Sequence, residues 1–187
     1  MLNSFFDKFI FTSTLRYTHN NFYLLDQPFI IAPIEVLQGL IENADGEMQK
    51  KIYEALKKSS KERFIPSFGK SFGADIKKEF EITKDFFIAS GWGKIDVIDL
   101  QQESKRAIIV VENSPFAENL RGKTKNPVDV LTRAIFAGIF SAIFAEDIDC
   151  VETECAAQNQ ERCKFIIKPK TEFDFTNTIV QNQLSHE

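Results

Sequence analysis

The sequence predicts an α+β fold, with an antiparallel sheet packed against a layer of helices. Three observations carry this expectation. Apolar residues recur every three to four positions between Pro33 and Phe80, which is the helical period. They alternate along Gly93 to Leu100 and crowd Arg106 to Glu112, as strands of an antiparallel sheet do. A third segment, Val128 to Ala145, is apolar on nearly every face and must be a buried helix. At 187 residues the chain suits one domain of ordinary size, large enough to bury a core.

Residues 1–32 alternate apolar and polar clusters, and Thr18-His19-Asn20-Asn21 forms their turn. They read as a strand or short helix followed by a hairpin-like pair. Pro33 opens a helix whose buried face is Ile34, Leu37, Leu40, Ile41 and Ala44, and Asp45-Gly46 ends it. A second helix buries Met48, Ile52, Ala55 and Leu56 and turns Lys50, Lys51, Glu54, Lys57 and Lys58 to water. A third, with Pro66 in its first turn, repeats Phe64, Phe68, Phe72, Ile76 and Phe80 every four residues. Gly69 and Gly73 lie beside that stripe, which suits either close helix packing or the wall of a pocket.

Phe86 to Ser90, Gly93 to Leu100 and Arg106 to Glu112 read as strands, the last two joined by a turn at residues 101–105. Trp92, between two glycines, is either a core ring or the cap of an apolar pocket. Residues 113–127 form a polar loop that could serve as a lid. In the apolar helix that follows, Arg133 is the only cation, and a buried cation needs a partner; Asp129 is one turn away. Pro169 closes the last strand, and residues 170–187 pack as an extra element or stay loose.

Composition excludes several functions. The net charge is −4 with interspersed signs, which does not suit a polyanion such as nucleic acid. No apolar run is long enough to span a membrane. The two histidines, His19 and His186, do not support a histidine-based triad or a histidine-rich metal site. There is no internal repeat, phosphate loop, nucleophile elbow or dinucleotide fingerprint. Nineteen Phe against three Tyr and one Trp make an interior strongly apolar, whether it is filled solidly or encloses a cavity.

All three cysteines fall within residues 147–167. Cys155 and Cys163 flank a polar run and are bounded by strand-forming residues, so a hairpin would bring the two sulfurs face to face. The start of the chain shows no signal peptide, and the cysteine count is odd. A cytoplasmic, reduced protein is therefore expected, and a disulfide is not. Two readings stay open on spacing alone: a thiolate pair joined by Glu152 around zinc, or two buried structural thiols. In a flat strand Glu152 and Cys155 point to opposite faces, so joint ligation requires the chain to twist or bulge between them. Cys150 is expected to pack within a strand.

Glu152-x-x-Cys155 with Cys163 eight residues on, followed by Lys164-Phe165-Ile166-Ile167, resembles the C-terminal signature of the 4-vinyl-reductase domain family. The upstream order resembles it too: Gly91-Trp92-Gly93-Lys94, Val111 to Ala117, then Pro127-Val128 before a helix with Ala137-Gly138. The resemblance spans residues 30–168. It implies a single ligand-binding domain over residues 1–168 with a C-terminal extension at 169–187. The implied fold is like that of NO-signalling and Golgi-transport proteins, including vesicle-tethering subunits, and is commonly homodimeric. It also implies zinc held by a glutamate and three cysteines, of which Glu152, Cys155 and Cys163 match. Asp129 stands where the remaining cysteine would be, and its oxygen is a competent zinc ligand.

The expectation is a stand-alone binding or sensor domain for a small hydrophobic molecule, aromatic, isoprenoid or acyl, braced by a structural zinc site and passing its output to a downstream protein. Candidate pocket residues are Phe68, Phe72, Trp92, Phe136 and Phe140. The alternatives are a reductase-associated subunit acting on a vinyl group and a dimeric scaffold without ligand.

Overall fold

A computed structural model describes residues 15–24, 27–66 and 76–184. Strands β1 (Leu15–Thr18), β2 (Asn21–Leu24) and β3 (Gln27–Phe29) form a small antiparallel sheet in that order. His19 and Asn20 turn the first hairpin with positive φ, a conformation asparagine tolerates well. Helices α1 (Ile34–Glu42) and α2 (Gly46–Ser59) follow, the second capped by Asp45, which accepts a hydrogen bond from Met48 N at 2.8 Å. After a π-helical turn, Ser60–Phe64, and the helix α3 (Ile76–Ala89), the chain enters the main sheet.

That sheet consists of β4 (Lys94–Gln101), β5 (Arg106–Glu112), β6 (Ile148–Glu154) and β7 (Cys163–Pro169), all antiparallel, in the order β4-β5-β7-β6. Between β5 and β6 come the short helix α4 (Pro115–Asn119) and the apolar helix α5 (Val130–Ile143). Along β7, Cys163, Phe165 and Ile167 face the core while Lys164, Ile166 and Lys168 face outward, the period of two that a sheet imposes. Helix α5 lies on the inner face against β6, with α2 packed on it from the other side. Phe136, Ile139 and Phe140 are almost wholly buried there. Helix α6 (Thr178–Leu184) covers the outer face of the β6–β7 hairpin, where Val180, Leu184 and Phe173 pack on Val151. This is the α+β architecture expected from the sequence. Among the described residues no helix is long and apolar enough to cross a membrane.

Several elements differ from expectation. Phe86 to Ser90, expected as a strand, are the end of α3 and the turn after it. Phe80, Thr83 and Phe87 sit three and four apart on one buried face, and a short run such as Phe86-Phe87-Ile88 cannot by itself distinguish strand from helix. Gly91 and Gly93 then end the helix with φ of 85° and 96°. The polar stretch 113–127 contains α4, started by Pro115 in its first turn, with Phe116 and Ala117 buried. The helix expected to begin near Pro66 is preceded by the π-helical turn at Ser60–Phe64, and Phe68 and Phe72 lie outside the described residues.

Lys57, expected in water, is 6% exposed. Its Nζ lies 2.8 Å from Asp149 Oδ1 and 3.0 Å from Asp147 Oδ1, and Tyr53 Oη donates to the same Asp149 oxygen at 3.0 Å. Helical spacing could not reveal this, because the partner acids come from β6 and the turn before it, far along the chain. Lys57→Ala is expected to cost about 3 kcal/mol in urea unfolding, since it strands a buried Asp149. Lys57→Ala with Asp149→Asn should recover part of the loss.

Candidate functional site

The β6–β7 hairpin sets the site. Its register pairs Glu152 with Phe165 and Glu154 with Lys164, so one extra residue, Thr153, is inserted on the β6 side. A bulge of this kind re-aims the side chains after it, and it removes the obstacle that a flat strand would pose. The carboxylate of Glu152 and the sulfurs of Cys155 and Cys163 all lie within 4.8 Å of one another, and all three residues are fully buried. The three cysteines are free thiols, and Cys150, also buried, packs within β6 away from this trio.

Asp129, just before α5, stands beside the trio and is 1% exposed. Its main-chain N donates to Glu152 Oε2 at 3.1 Å, and its carboxylate accepts from Ser114 Oγ at 2.9 and 3.0 Å. The carboxyl also lies against the Cys163 thiol. Arg133, one turn on, does not pair with it: the guanidinium donates to Cys150 O at 3.1 Å and Gln183 O at 3.0 Å and stacks over Tyr53. The competition anticipated between Arg133 and a metal for Asp129 is therefore absent.

The electrostatics describe a site short of positive charge. Burial, reinforced by the Asp129 charge, pushes the Glu152 carboxyl well above its usual range. Burial likewise pushes Asp129 up to about 7. The hydrogen bond with Cys163 lowers Cys155 to about 6, and the same contact together with burial raises Cys163. Glu152 Oε1 is buried with no hydrogen-bond partner, which costs roughly 1–3 kcal/mol unless something else satisfies it. A divalent cation would do so. The donor set, two sulfurs and two carboxylates, is one that zinc accepts, and a fixed surrounding shell is present in Ser114 Oγ and in Ala156 N, which donates to Cys163 Sγ at 3.4 Å. The residues fit the metal that the family resemblance implies.

A recess of about 310 Å³ adjoins this centre. Ile41, Phe116, Leu120, Val128, Val130 and Leu131 supply its apolar wall, and Gln38, Glu42, Gln49 and Lys123 its polar rim. Val128 and Val130 flank Asp129, so one stretch of chain belongs to both the recess and the centre. The loop over the recess is also clasped to the turn between β6 and β7: Gly122 N donates to Ala157 O at 2.8 Å, Arg121 Nη1 to Gln160 O at 2.9 Å, and Gln158 Nε2 to Lys125 O at 2.5 Å. The candidate pocket residues among the described ones do not line this recess. Trp92 packs on Phe87 and Phe116, Phe136 is edge-on to Phe165, and Phe140 sits between Phe80 and Phe144. The recess walls come from α1, α2, α4, a loop and α5, and no local spacing joins those segments.

Residues 107–169 match the family model of the 4-vinyl-reductase domain. That stretch holds Val111 to Ala117 and the cysteine-bearing hairpin, the strongest parts of the resemblance read from the sequence. No curated protein matches the chain. Among solved structures, the phenol-responsive sensory domain of the transcription activator PoxR with phenol superposes with a TM-score of 0.70 at 14% identity, covering 94% of each chain. A trafficking protein particle complex subunit 3 from Naegleria fowleri, covalently bound to palmitic acid, gives 0.50 at 15% identity over 71% of this chain and 87% of that one. A vinyl-4-reductase family protein from Methanocaldococcus jannaschii gives 0.43 at 18% identity, covering 75% and 96%. At these identities the likeness is one of fold.

Proposed function

Starting from a 4-vinyl-reductase domain at residues 107–169, we propose that the chain binds and senses a small hydrophobic molecule in the recess beside Asp129, with zinc bracing the hairpin through Asp129, Glu152, Cys155 and Cys163. The observation that carries this reading is the recess itself, about 310 Å³ with an apolar wall and a polar rim, which is the size and character of a small-molecule site. Its neighbours in fold, one with phenol and one with palmitic acid, support a ligand of that chemistry. Bound zinc would supply charge neutralisation and a cross-link, and four protein donors leave no position for a reactive water.

The chain's own residues do the remainder. Phe116, Leu120 and Leu131 exclude water from the ligand, and the rim amides of Gln38 and Gln49 offer hydrogen bonds to a polar end. A ligand that presses on Val128 or Val130 presses on the residues flanking Asp129, and the clasp from Lys125 to Gln158 carries the same displacement to the hairpin turn. Calorimetry with phenol and with palmitate, alongside native mass spectrometry of protein from its own host, tests the reading. One apolar molecule per chain is expected, and Leu120→Glu, at the half-buried edge of the recess, should weaken binding at least tenfold with zinc content unchanged. Binding that ignores this substitution, or none with either probe and no co-purified molecule, would remove the recess from the account.

The pH dependence separates metal-bound from metal-free protein. Without metal, the raised folded-state values of Asp129 and Glu152 mean that the native state holds protons the unfolded chain releases. That stability is present in acid and is lost as pH rises from about 4, before Cys155 ionises near 6. Zinc requires those same groups deprotonated, so its contribution grows with pH. The rise in Tm on adding zinc should therefore be larger at pH 7 than at pH 5, and a rise that is flat across that range would contradict these ligands.

A further inference from the structure

A second, smaller cleft lies between α2, α5 and α6, with about 40 Å³ of free space, room for roughly three waters. Arg133 reaches into it from α5. This side chain is 5% exposed, yet among the described residues it makes no ion pair: its bonds go to the carbonyls of Cys150 and Gln183, with its guanidinium carbon 5.0 Å from the Tyr53 ring centroid. Asp149, the buried acid in the cleft wall, is already engaged by Lys57 and by Tyr53 Oη. A buried guanidinium that lacks a counter-ion is costly, and its planar fork is shaped for an oxyanion. Lys170 stands at the mouth, the amides of Gln49 and Asn182 line the wall, and exposed Glu54 is the remaining acid there.

We propose that this cleft binds a small tetrahedral oxyanion, inorganic phosphate or sulfate, with Arg133 as the buried anchor and Lys170 as the outer contact. The site is independent of the metal centre and of the recess. Its walls join α5 to the C-terminal helix α6, whose Gln183 also receives Glu152 N at 2.9 Å and donates to Glu152 O at 2.8 Å, taking the place of a neighbouring strand at the sheet edge. An anion here therefore fastens the C-terminal segment to the core.

The test uses the full chain in phosphate, sulfate or chloride at matched ionic strength. A saturable rise in Tm with phosphate or sulfate but not chloride is expected, together with slowed amide exchange across residues 178–184. Arg133→Gln should abolish the saturable rise. Because that variant removes buried hydrogen bonds and can fail to fold, Lys170→Gln, on the exposed rim, provides the second readout and should weaken binding three- to tenfold. No difference from chloride, or identical binding by the wild type and Lys170→Gln, overturns the proposal.

Discussion

Replacing Cys155 or Cys163 by serine is expected to drop the zinc content from one per chain to near zero and to lower the Tm by about 10 °C or more. A structural zinc is worth on the order of 10 kcal/mol in peptides that have no other core. In this chain α5 and the sheet already bury a large apolar core, so a smaller share, about 3–5 kcal/mol, falls to the metal. At this size each kcal/mol moves the Tm by about 2–4 °C. Cys150→Ser is the control. Cys150 is as buried as the other two but lies outside the cluster, so it should lose stability for packing alone and keep its zinc. Glu152→Gln makes the sharpest distinction. It should lower zinc affinity while stabilising the stripped protein, because it removes a carboxyl whose oxygen is buried without a partner and whose ionisation burial opposes. If the thiols were only core residues, Glu152→Gln would change both states equally and the wild type would bind no zinc.

The parts of this molecule legible in its sequence are those in which one short segment carries the whole signal. The apolar helix at Val130–Ile143 declares its burial by having no polar face, and the β6–β7 hairpin declares itself by two thiols flanking a polar turn. Even the difficulty at Glu152 could be framed in advance: ligation needs a bulge, and Thr153 supplies it. What was not legible involves distant partners. Lys57 looks like a solvated helix residue until Asp149 arrives from β6. Arg133 looks as though it belongs to Asp129, one turn away, because the carbonyls it uses, on Cys150 and Gln183, carry no side-chain signature. The recess escaped for the same reason, and Trp92, Phe136 and Phe140, suggested for it, are packed on other rings. The strand expected at Phe86–Ser90 failed differently, because a run of three apolar residues fits either period.

Gly138 provides the largest expected effect away from the metal. Glycine inside a helix normally costs about 1 kcal/mol relative to alanine, so Gly138→Ala on α5 should stabilise the protein if the helix stood alone. In the folded chain α2 and the π-helical turn cross α5 at this point. A Cβ on residue 138 would lie 2.4 Å from Lys57 O, 2.5 Å from Ser60 Cβ and 3.1 Å from Lys61 N. These neighbours are main chain or fixed to it, so relief requires moving a helix. Such a shift would separate Lys57 from Asp149 and Tyr53 from Arg133, since all four meet in the same layer. Gly138→Ala is therefore expected to destabilise by about 3 kcal/mol, at the upper end of overpacking, and Gly138→Val by more, to the point of little folded protein. Urea unfolding of the alanine variant gives the sign directly. A gain in stability would mean that the two helices do not approach as closely as the contact at Lys57 requires, and the buried pair that depends on their approach would lose its basis with it.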